Sequence, residues 1–219
     1  MKQTLFITGT DTGAGKTVLT VLLVKFLRER GVKAAALKPI CSGGRADARA
    51  LHAAMNGALT LDEINPWHFR VPIAPLLAAR REKKSVKLAQ VLAHVRVLQN
   101  RFDVLLVEGA GGLLSPLGEN FDSRDLILAL HGVPIIVAQN KIGAVNQVLL
   151  TLEALSEKFR SKAKIVLMSP PKPDGATNSN AKLLAELAGA KTFSLPWLDK
   201  NSRVTRNPPV RRTLLGLSN

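Results

Sequence analysis

The sequence is poor in aromatic residues and in cysteine, and it contains no tyrosine. Aromatic residues make up 4% of its 219 positions, whereas proteins that bind nucleic acid by base stacking need several aromatic side chains. The single cysteine, Cys41, excludes a disulfide within this chain and suits a reducing compartment. No apolar run approaches the roughly 18 residues of a membrane span. We therefore expect a cytoplasmic protein with no membrane or nucleic-acid partner.

Acidic residues are also scarce. The chain has 31 Lys and Arg against 16 Asp and Glu, which gives a formal net charge of +15. Basic residues cluster at positions 80–84 and 200–212, but neither cluster is a long uninterrupted run. An anionic substrate, a polyanionic partner and a generally basic proteome each account for such a charge. The low aromatic content weakens the second explanation.

Short apolar runs alternate with stretches of helical periodicity. Residues 4–8, 33–38, 104–108, 133–138, 165–168 and, more weakly, 192–195 lack strict alternation, as buried parallel strands do. Residues 16–30, 86–100, 123–131, 144–159 and 178–188 have helical spacing of apolar residues. This pattern predicts an α/β fold with a doubly wound, mostly parallel sheet flanked by helices on both faces. We expect one domain over residues 1–219, in which residues 200–219 either form a loosely ordered basic tail or wrap the domain edge.

A glycine-rich loop lies between the first strand and the first helix. Residues 9–17 read GTDTGAGKT, with five residues between Gly9 and Gly15 where the usual phosphate-binding loop has four. Backbone N–H groups at such a helix start attract phosphate, and the helix dipole adds to the attraction. Lys16 is placed to reach the outer phosphates, and the Thr17 hydroxyl is placed to bind Mg²⁺. The loop therefore predicts a nucleotide site and a fold like that of P-loop NTPases.

Polar residues also follow the next two predicted strands. Lys38 ends one of them, and Ser42 and Asp47 come soon after it. Two lysines beside one nucleotide indicate that negative charge develops on a second molecule, although a strand-end lysine is also common at a surface. Asp47 is either a metal ligand or a solvated loop aspartate. Glu108 ends a buried strand and precedes small residues, where phosphate-loop enzymes place a carboxylate for Mg²⁺.

In this order, the motifs G-T-D-T-x-x-G-K-T, K-P-x-x-S-G and V-E-G-A-G-G-x-x-x-P-L resemble those of dethiobiotin synthetases. The similarity continues in NKIGAVNQVLLTLEAL at 140–155 and LPWL at 195–198, and it covers about residues 1–200. The longer spacing between Gly9 and Gly15 is that family's own form of the loop. Where many relatives read adenine with an asparagine, this sequence has Ser169-Pro170-Pro171, so the base contact is rebuilt, lost or relaxed.

The resemblance implies a reaction. Enzymes of this family form dethiobiotin, ADP and phosphate from 7,8-diaminopelargonate, CO₂ and ATP with Mg²⁺, in the penultimate step of biotin biosynthesis. One amine takes up CO₂ as a carbamate, a carbamate oxygen attacks the γ-phosphate, and the second amine displaces phosphate to close the ring. The resemblance also implies a homodimer, because in relatives the neighbouring subunit holds the substrate's carboxylate.

The resemblance assigns roles to residues by their place in these motifs. Lys16 and Lys38 would be catalytic, and Thr17, Asp47 and Glu108 would hold Mg²⁺. Nucleotide would be bound by Gly13, Ala14, Gly15, Lys16, Thr17, Val18, Asp47, Glu108, Gly109, Ala110, Gly111, Pro196, Trp197 and Leu198. Substrate would be bound by Thr12, Ser42, Gly143, Ala144, Val145 and Asn146, with the last four at a helix N-terminus suited to a carboxylate.

Two alternatives stay open at this point. One is a related ligase that acts on a different amine acceptor; an amidotransferase of that kind would need a glutaminase domain, for which this chain has no room. The other is a partition-type (ParA/MinD-like) ATPase. Those ATPases carry a second lysine five residues before the loop lysine, and Asp11 occupies that place here.

Overall fold

The computed structural model describes residues 2–198 and 207–218. The strands in these residues are β1 (Gln3–Gly9), β2 (Ala34–Leu37), β3 (Ile40–Ser42), β4 (Trp67–Phe69), β5 (Val104–Glu108), β6 (Val133–Gln139), β7 (Lys164–Met168) and β8 (Lys191–Leu195). The helices are α1 (Lys16–Glu29), α2 (Ala46–Ala54), α3 (Leu61–Ile64), α4 (Pro75–Arg81), α5 (Leu88–Gln99), α6 (Ser123–Leu130), α7 (Ala144–Glu153), α8 (Glu157–Arg160), α9 (Gly175–Ala188) and α10 (Pro208–Ser218).

The main sheet of the described residues has the strand order β2-β5-β1-β6-β7-β8, and every neighbouring pair is parallel. Leu5, Phe6 and Ile7 are consecutive in β1 and fully buried. Because successive side chains of a strand point to opposite faces, both faces of the sheet must be covered. The prediction of a mostly parallel sheet flanked by helices is confirmed, and these packing relations support the proposal of a single domain.

The predicted helices differ from the observed ones mainly at their ends. The predicted helix over 144–159 is divided into α7 and α8 around Ser156, which caps α8 in an extended conformation. Helix α9 starts three residues earlier than the predicted 178, because the Asp174 side chain accepts a hydrogen bond from the Thr177 amide. Asp47, for which a place in a loop was one of two expectations, lies in the first turn of α2, because this helix begins at Ala46.

The stretch between Asp47 and Leu88 contains elements that its sequence pattern did not indicate. Strands β3 and β4 form a small parallel sheet of their own, with Ile40 opposite Trp67 and Ser42 opposite Phe69. Helices α2, α3 and α4 are short, so none offers a long window of helical periodicity. This region packs beside β2 and covers one end of the main sheet.

The C-terminal stretch contains a packed helix. In α10 the residues Val210, Leu214 and Leu217 are fully buried, and the helix contacts β8 and α1. The ammonium of Lys164 on β7 donates a hydrogen bond to the carbonyl oxygen of Leu217 at 2.9 Å. For residues 208–218 the structure therefore favours a segment that wraps the domain edge; residues 200–206 and 219 lie outside the described residues. Among the helices described, none has both the length and the apolar composition needed to cross a bilayer.

Candidate functional site

The glycine-rich loop, Lys38 and Glu108 meet at the carboxyl edge of the main sheet. Strands β2, β5 and β1 are neighbours in the sheet, and the three features follow or end these strands. Ligands of open α/β sheets bind at this edge. Helix α1 begins at Lys16, directly after Gly15, which adopts the left-handed conformation with φ 101°. This turn directs the N-terminus of α1 toward the loop, as phosphate binding requires.

The side chain of Lys16 folds back over the loop. Its ammonium donates hydrogen bonds to the carbonyl oxygen of Asp11 at 2.9 Å and to that of Gly111 at 2.7 Å. Burial and the nearby Lys38 lower the pKa of Lys16 to about 8, and the more distant carboxylates offset only part of this effect. Lys16 thus holds a positive charge that a phosphate group would stabilise further.

The ammonium of Lys38 lies between two carboxylates. It donates to Oε1 of Glu108 at 2.8 Å and also forms an ion pair with Asp47. The Thr17 hydroxyl donates to the same Oε1 of Glu108 at 2.6 Å. Burial acts against the charge on Lys38, but Glu108 and Asp47 outweigh it and raise the pKa of the lysine. The three residues predicted to hold a metal are therefore brought together around a lysine.

A cavity of about 640 Å³ opens above this cluster. Its lining brings together most of the predicted nucleotide, metal and substrate residues of the first three motifs: Thr12, Gly13, Gly15, Lys16, Thr17, Val18, Lys38, Ser42, Asp47, Ala110 and Gly111. The other predicted residues of these motifs are covered. Ala14 is 2% exposed and Glu108 is 1% exposed, and Gly109 packs against Ser123.

A second cavity, of about 500 Å³, lies on the other side of the glycine-rich loop. It shares Gly13, Gly15 and Val18 with the first cavity and is otherwise mostly apolar. Its far wall contains the predicted Pro196, Trp197 and Leu198, together with Ser169, Pro170 and Pro171. A continuous groove with phosphate donors at its centre and an apolar end suits a nucleotide whose base lies in the apolar end.

The predicted substrate residues 143–146 do not line either of these cavities. Gly143 is the left-handed cap of α7, so the open N-terminus of α7 lies in the loop after β6. The same helix lines a third cavity, of about 520 Å³, with Gln147, Leu150 and Thr151. Within one chain, the N-terminus of α7 therefore does not line the cavity that contains Lys16 and Lys38.

Sequence reasoning missed one wall of the main cavity. Residues 72–75 (PIAP) line it, and the Ser42 hydroxyl donates a hydrogen bond to the carbonyl oxygen of Ile73 at 2.5 Å. Ser115 was also missed; it lines the same cavity, and its hydroxyl accepts from the Gly112 amide at 2.9 Å. The two prolines flanking an apolar pair were the available signal, because such a segment is stiff and extended.

The cluster fits Mg²⁺ in its donor chemistry. Mg²⁺ binds through one or two protein carboxylates and completes its shell with water and substrate phosphate, and Asp47, Glu108 and the Thr17 hydroxyl supply such oxygens. Oε2 of Glu108 is buried and has no hydrogen-bond partner in the described residues, which leaves a lone pair that a cation can use. In residues 2–198 and 207–218, no three His, Cys, Asp or Glu residues lie together in a group that could hold a metal ion.

Most of the chain matches one family of known proteins. A family model described as an AAA domain matches residues 3–205. A protein of Anaeromyxobacter dehalogenans (strain 2CP-C) is 42% identical, over 88% of this chain and 89% of its own length. One of Thermodesulfovibrio yellowstonii is 37% identical over 90% of both chains, and one of Methanococcus vannielii is 34% identical over 70% and 73%. All three are named ATP-dependent dethiobiotin synthetase BioD.

Proposed function

We propose that this chain, which belongs to the dethiobiotin synthetase family, catalyses the ATP-dependent carboxylation and ring closure of 7,8-diaminopelargonate to dethiobiotin. One observation carries the proposal: Lys16, at the start of α1, and Lys38, directly after β2, both line a single cavity. A carbamate and a γ-phosphate are both anions, and their reaction requires concentrated positive charge. The two ammonium groups supply that charge within one enclosed space.

The proposed roles follow from the contacts. Lys16 binds the phosphates of ATP, since its ammonium already bridges the glycine-rich loop and Gly111. Lys38 stabilises the carbamate while a carbamate oxygen attacks the γ-phosphorus of ATP, the bond from that phosphorus to the β–γ bridging oxygen breaks, and ADP leaves. The second amine then attacks the carbonyl carbon, the bond from that carbon to the phosphate oxygen breaks, and phosphate leaves. Thr12 and Ser42 line the cavity beside Lys38 and are proposed to orient the reacting end of the diamine.

We propose that Asp47, Glu108 and Thr17 hold the Mg²⁺ that accompanies ATP. The ion would neutralise charge on the phosphates as the transferred group moves. The apolar cavity lined by Pro196, Trp197 and Leu198 is proposed to receive the base. It contains no long polar side chain at 169–171, so the base preference is a separate question for experiment.

We propose a homodimer in which α7 of one subunit faces the cavity of the other. Exposed apolar side chains support this arrangement: Leu114 is 53% exposed, Ile142 is 84% exposed and Leu150 is 62% exposed. Leu114 lies in the loop after β5, Ile142 precedes α7, and Leu150 lies within α7. In this assembly residues 143–146 would bind the carboxylate of the diamine with the N-terminus of α7. A cytoplasmic location, in line with the unpaired Cys41, completes the proposal.

A product assay tests the activity. The purified chain is incubated with 7,8-diaminopelargonate, bicarbonate and Mg²⁺, and in separate reactions with ATP, CTP or GTP, and dethiobiotin is measured by mass spectrometry. We expect dethiobiotin with ATP and none without the diamine. Product mainly with CTP or GTP would keep the chemistry and change the nucleotide.

The Lys38→Ala variant is the matched control, because it lacks a group proposed to touch the carbamate. Binding of ATP, measured by calorimetry, reports separately on the glycine-rich loop. If the chain binds ATP and forms no dethiobiotin with any nucleotide, the activity proposed here is wrong, and a related ligase with another amine acceptor replaces it.

A further inference from the structure

The ammonium of Lys38 lies against the two carboxylates that are proposed to bind Mg²⁺. Its ammonium contacts both Asp47 and Glu108, which are the carboxylates proposed for Mg²⁺. The Thr17 hydroxyl, the third proposed ligand, is bonded to the same Glu108 oxygen that Lys38 contacts. The lysine therefore occupies the space where the three proposed metal ligands converge. An ammonium and a divalent cation bound to the same oxygen atoms would repel each other strongly in a buried site.

The carboxylates need a positive partner. The side chain of Glu108 has no exposed surface, and a buried carboxylate without a counter-charge is strongly unfavourable. Oε2 of Glu108 has no partner in the described residues even with Lys38 in place. A cation with more than one free coordination position would use both oxygens of Glu108, whereas the ammonium contacts one of them.

We infer that Lys38 is the resident counter-ion of Asp47 and Glu108 in the nucleotide-free protein, and that a divalent cation displaces its ammonium from them. Lysine suits this exchange, because its charge sits on a flexible stem of four carbons with freely rotating bonds. The carboxylates then have a positive partner at both stages: the ammonium offsets one of their two negative charges, and the metal afterwards offsets both.

The displaced ammonium remains in the reaction space. Lys38 lines the same cavity as Thr12, Lys16 and Ser42, so a rotation of its stem moves the charge toward the proposed position of the carbamate. This part rests on the proposed function. In this scheme, metal binding frees the Lys38 ammonium to contact the anionic substrate. The positive charge of Lys38 is therefore available for the reaction only after the nucleotide's metal is bound.

A titration with Mn²⁺, in the absence of nucleotide and diamine, tests the exchange. Free Mn²⁺ is followed by electron paramagnetic resonance for the unaltered chain, Lys38→Met and Lys16→Met. Both substitutions remove one positive charge from the same cavity, but Lys16 bonds only to the carbonyl oxygens of Asp11 and Gly111. If Lys38 competes with the metal, Lys38→Met binds Mn²⁺ at least about tenfold more tightly than the unaltered chain, and Lys16→Met changes the affinity less than about threefold.

Two results would overturn the inference. One is an unchanged or weaker Mn²⁺ affinity in Lys38→Met. The other is an equal gain in both variants, which would show a general effect of charge. Because the titration contains neither ATP nor diamine, either result would leave the product assay of the proposed function untouched, and a failed product assay would leave the titration valid.

A second measurement covers the case in which Lys38→Met does not fold. The lysine ammonium groups of the unaltered chain are labelled with ¹⁵N during expression, and the Lys38 signal is assigned by its loss in Lys38→Arg. Addition of Mg²⁺ alone is expected to shift the Lys38 ammonium resonance as the ammonium leaves the carboxylates. A resonance that stays in place at saturating Mg²⁺ would refute the displacement.

Discussion

Gly15 and Met168 approach each other so closely that a methyl group on Gly15 would lie 2.8 Å from Cγ of Met168. Gly15 belongs to the glycine-rich loop, and Met168 ends β7 and lines the apolar cavity. Gly15 also has φ 101°, a conformation that residues with a side chain rarely adopt. Both the space and the backbone at this position therefore require glycine.

We expect Gly15→Ala to weaken ATP binding by about tenfold or more, because relief of the clash and the strain would move the amides that face the phosphates. Gly13→Ala is the matched control: its φ is 74°, but a methyl group there meets no atom within 4 Å. It should lose about 1 kcal/mol of unfolding free energy from backbone strain and keep most of its ATP affinity. Calorimetric titration and thermal unfolding of both variants measure the difference. Equal losses of ATP affinity in the two variants would show that the contact with Met168 does not contribute to the loss.

The lowered pKa of Lys16 predicts a pH dependence of ATP binding. Its pKa is about 8 in the free protein, and bound phosphate favours the charged form. The contribution of Lys16 to ATP affinity should be constant below about pH 7 and should then fall, by about twofold at pH 8 and about tenfold at pH 9. Calorimetry in buffers of different ionisation enthalpy should detect proton uptake on binding near pH 9. Affinity that is level from pH 7 to pH 9.5 would contradict the assignment.

The lowered pKa of Lys16 also affects the unfolding free energy. This quantity increases as the pH rises, whereas ATP affinity decreases. The folded-state pKa of Lys16 is lower than the ordinary lysine pKa of 10.5 that applies to the unfolded chain, so the unfolded chain binds more protons between these values. The contribution of Lys16 to the unfolding free energy is therefore smallest below pH 8 and increases as the pH rises toward 10.5. Lys16→Met removes this dependence, and urea unfolding of both proteins across that range compares them directly.

Lys38→Ala should separate nucleotide binding from product formation. We expect dethiobiotin formation to fall by at least about 100-fold, as for the loss of other groups that stabilise developing charge. The ATP dissociation constant, measured without divalent metal, should change by less than about threefold, since Lys38 contacts carboxylates and Lys16 contacts the glycine-rich loop. Steady-state product assays and ATP calorimetry give the two values. Normal turnover in this variant would remove Lys38 from the proposed chemistry.

Leu150→Glu tests the proposed dimer. Leu150 is 62% exposed on α7, so the change should leave the fold intact while placing a charge in an apolar contact. We expect a monomer by light scattering, a raised KM for the diamine and an almost unchanged ATP dissociation constant. Val97→Glu is the control on another helix: the valine is 63% exposed on α5, which packs against β5 and α6. A Leu150→Glu variant that remains dimeric would argue against this interface.

The strands of the main sheet and the first three motifs could be predicted because each depends on local sequence. Buried parallel strands are continuous apolar runs, and a strand followed by GTDTGAGKT can place Lys16 and Thr17 only at the carboxyl edge. The wall at 72–75 could not be predicted in the same way. Its position depends on the short pairing of β3 with β4 and on the bond from Ser42 to Ile73, which are long-range contacts with no periodic pattern. The ion pairs of Lys38 likewise depend on which strands become neighbours, and β2 and β5 are far apart in sequence.

The packing of α10 gives the far end of the chain an influence on the glycine-rich loop. This helix contacts α1, whose first residues are Lys16 and Thr17, and β8, which leads into the Trp197 segment. A protease cut or a fused tag that pulled α10 away would expose the apolar faces that it covers on both elements. Two elements that contribute residues to the nucleotide groove would then lose packing partners, so a firmly packed α10 should raise the unfolding temperature of the chain.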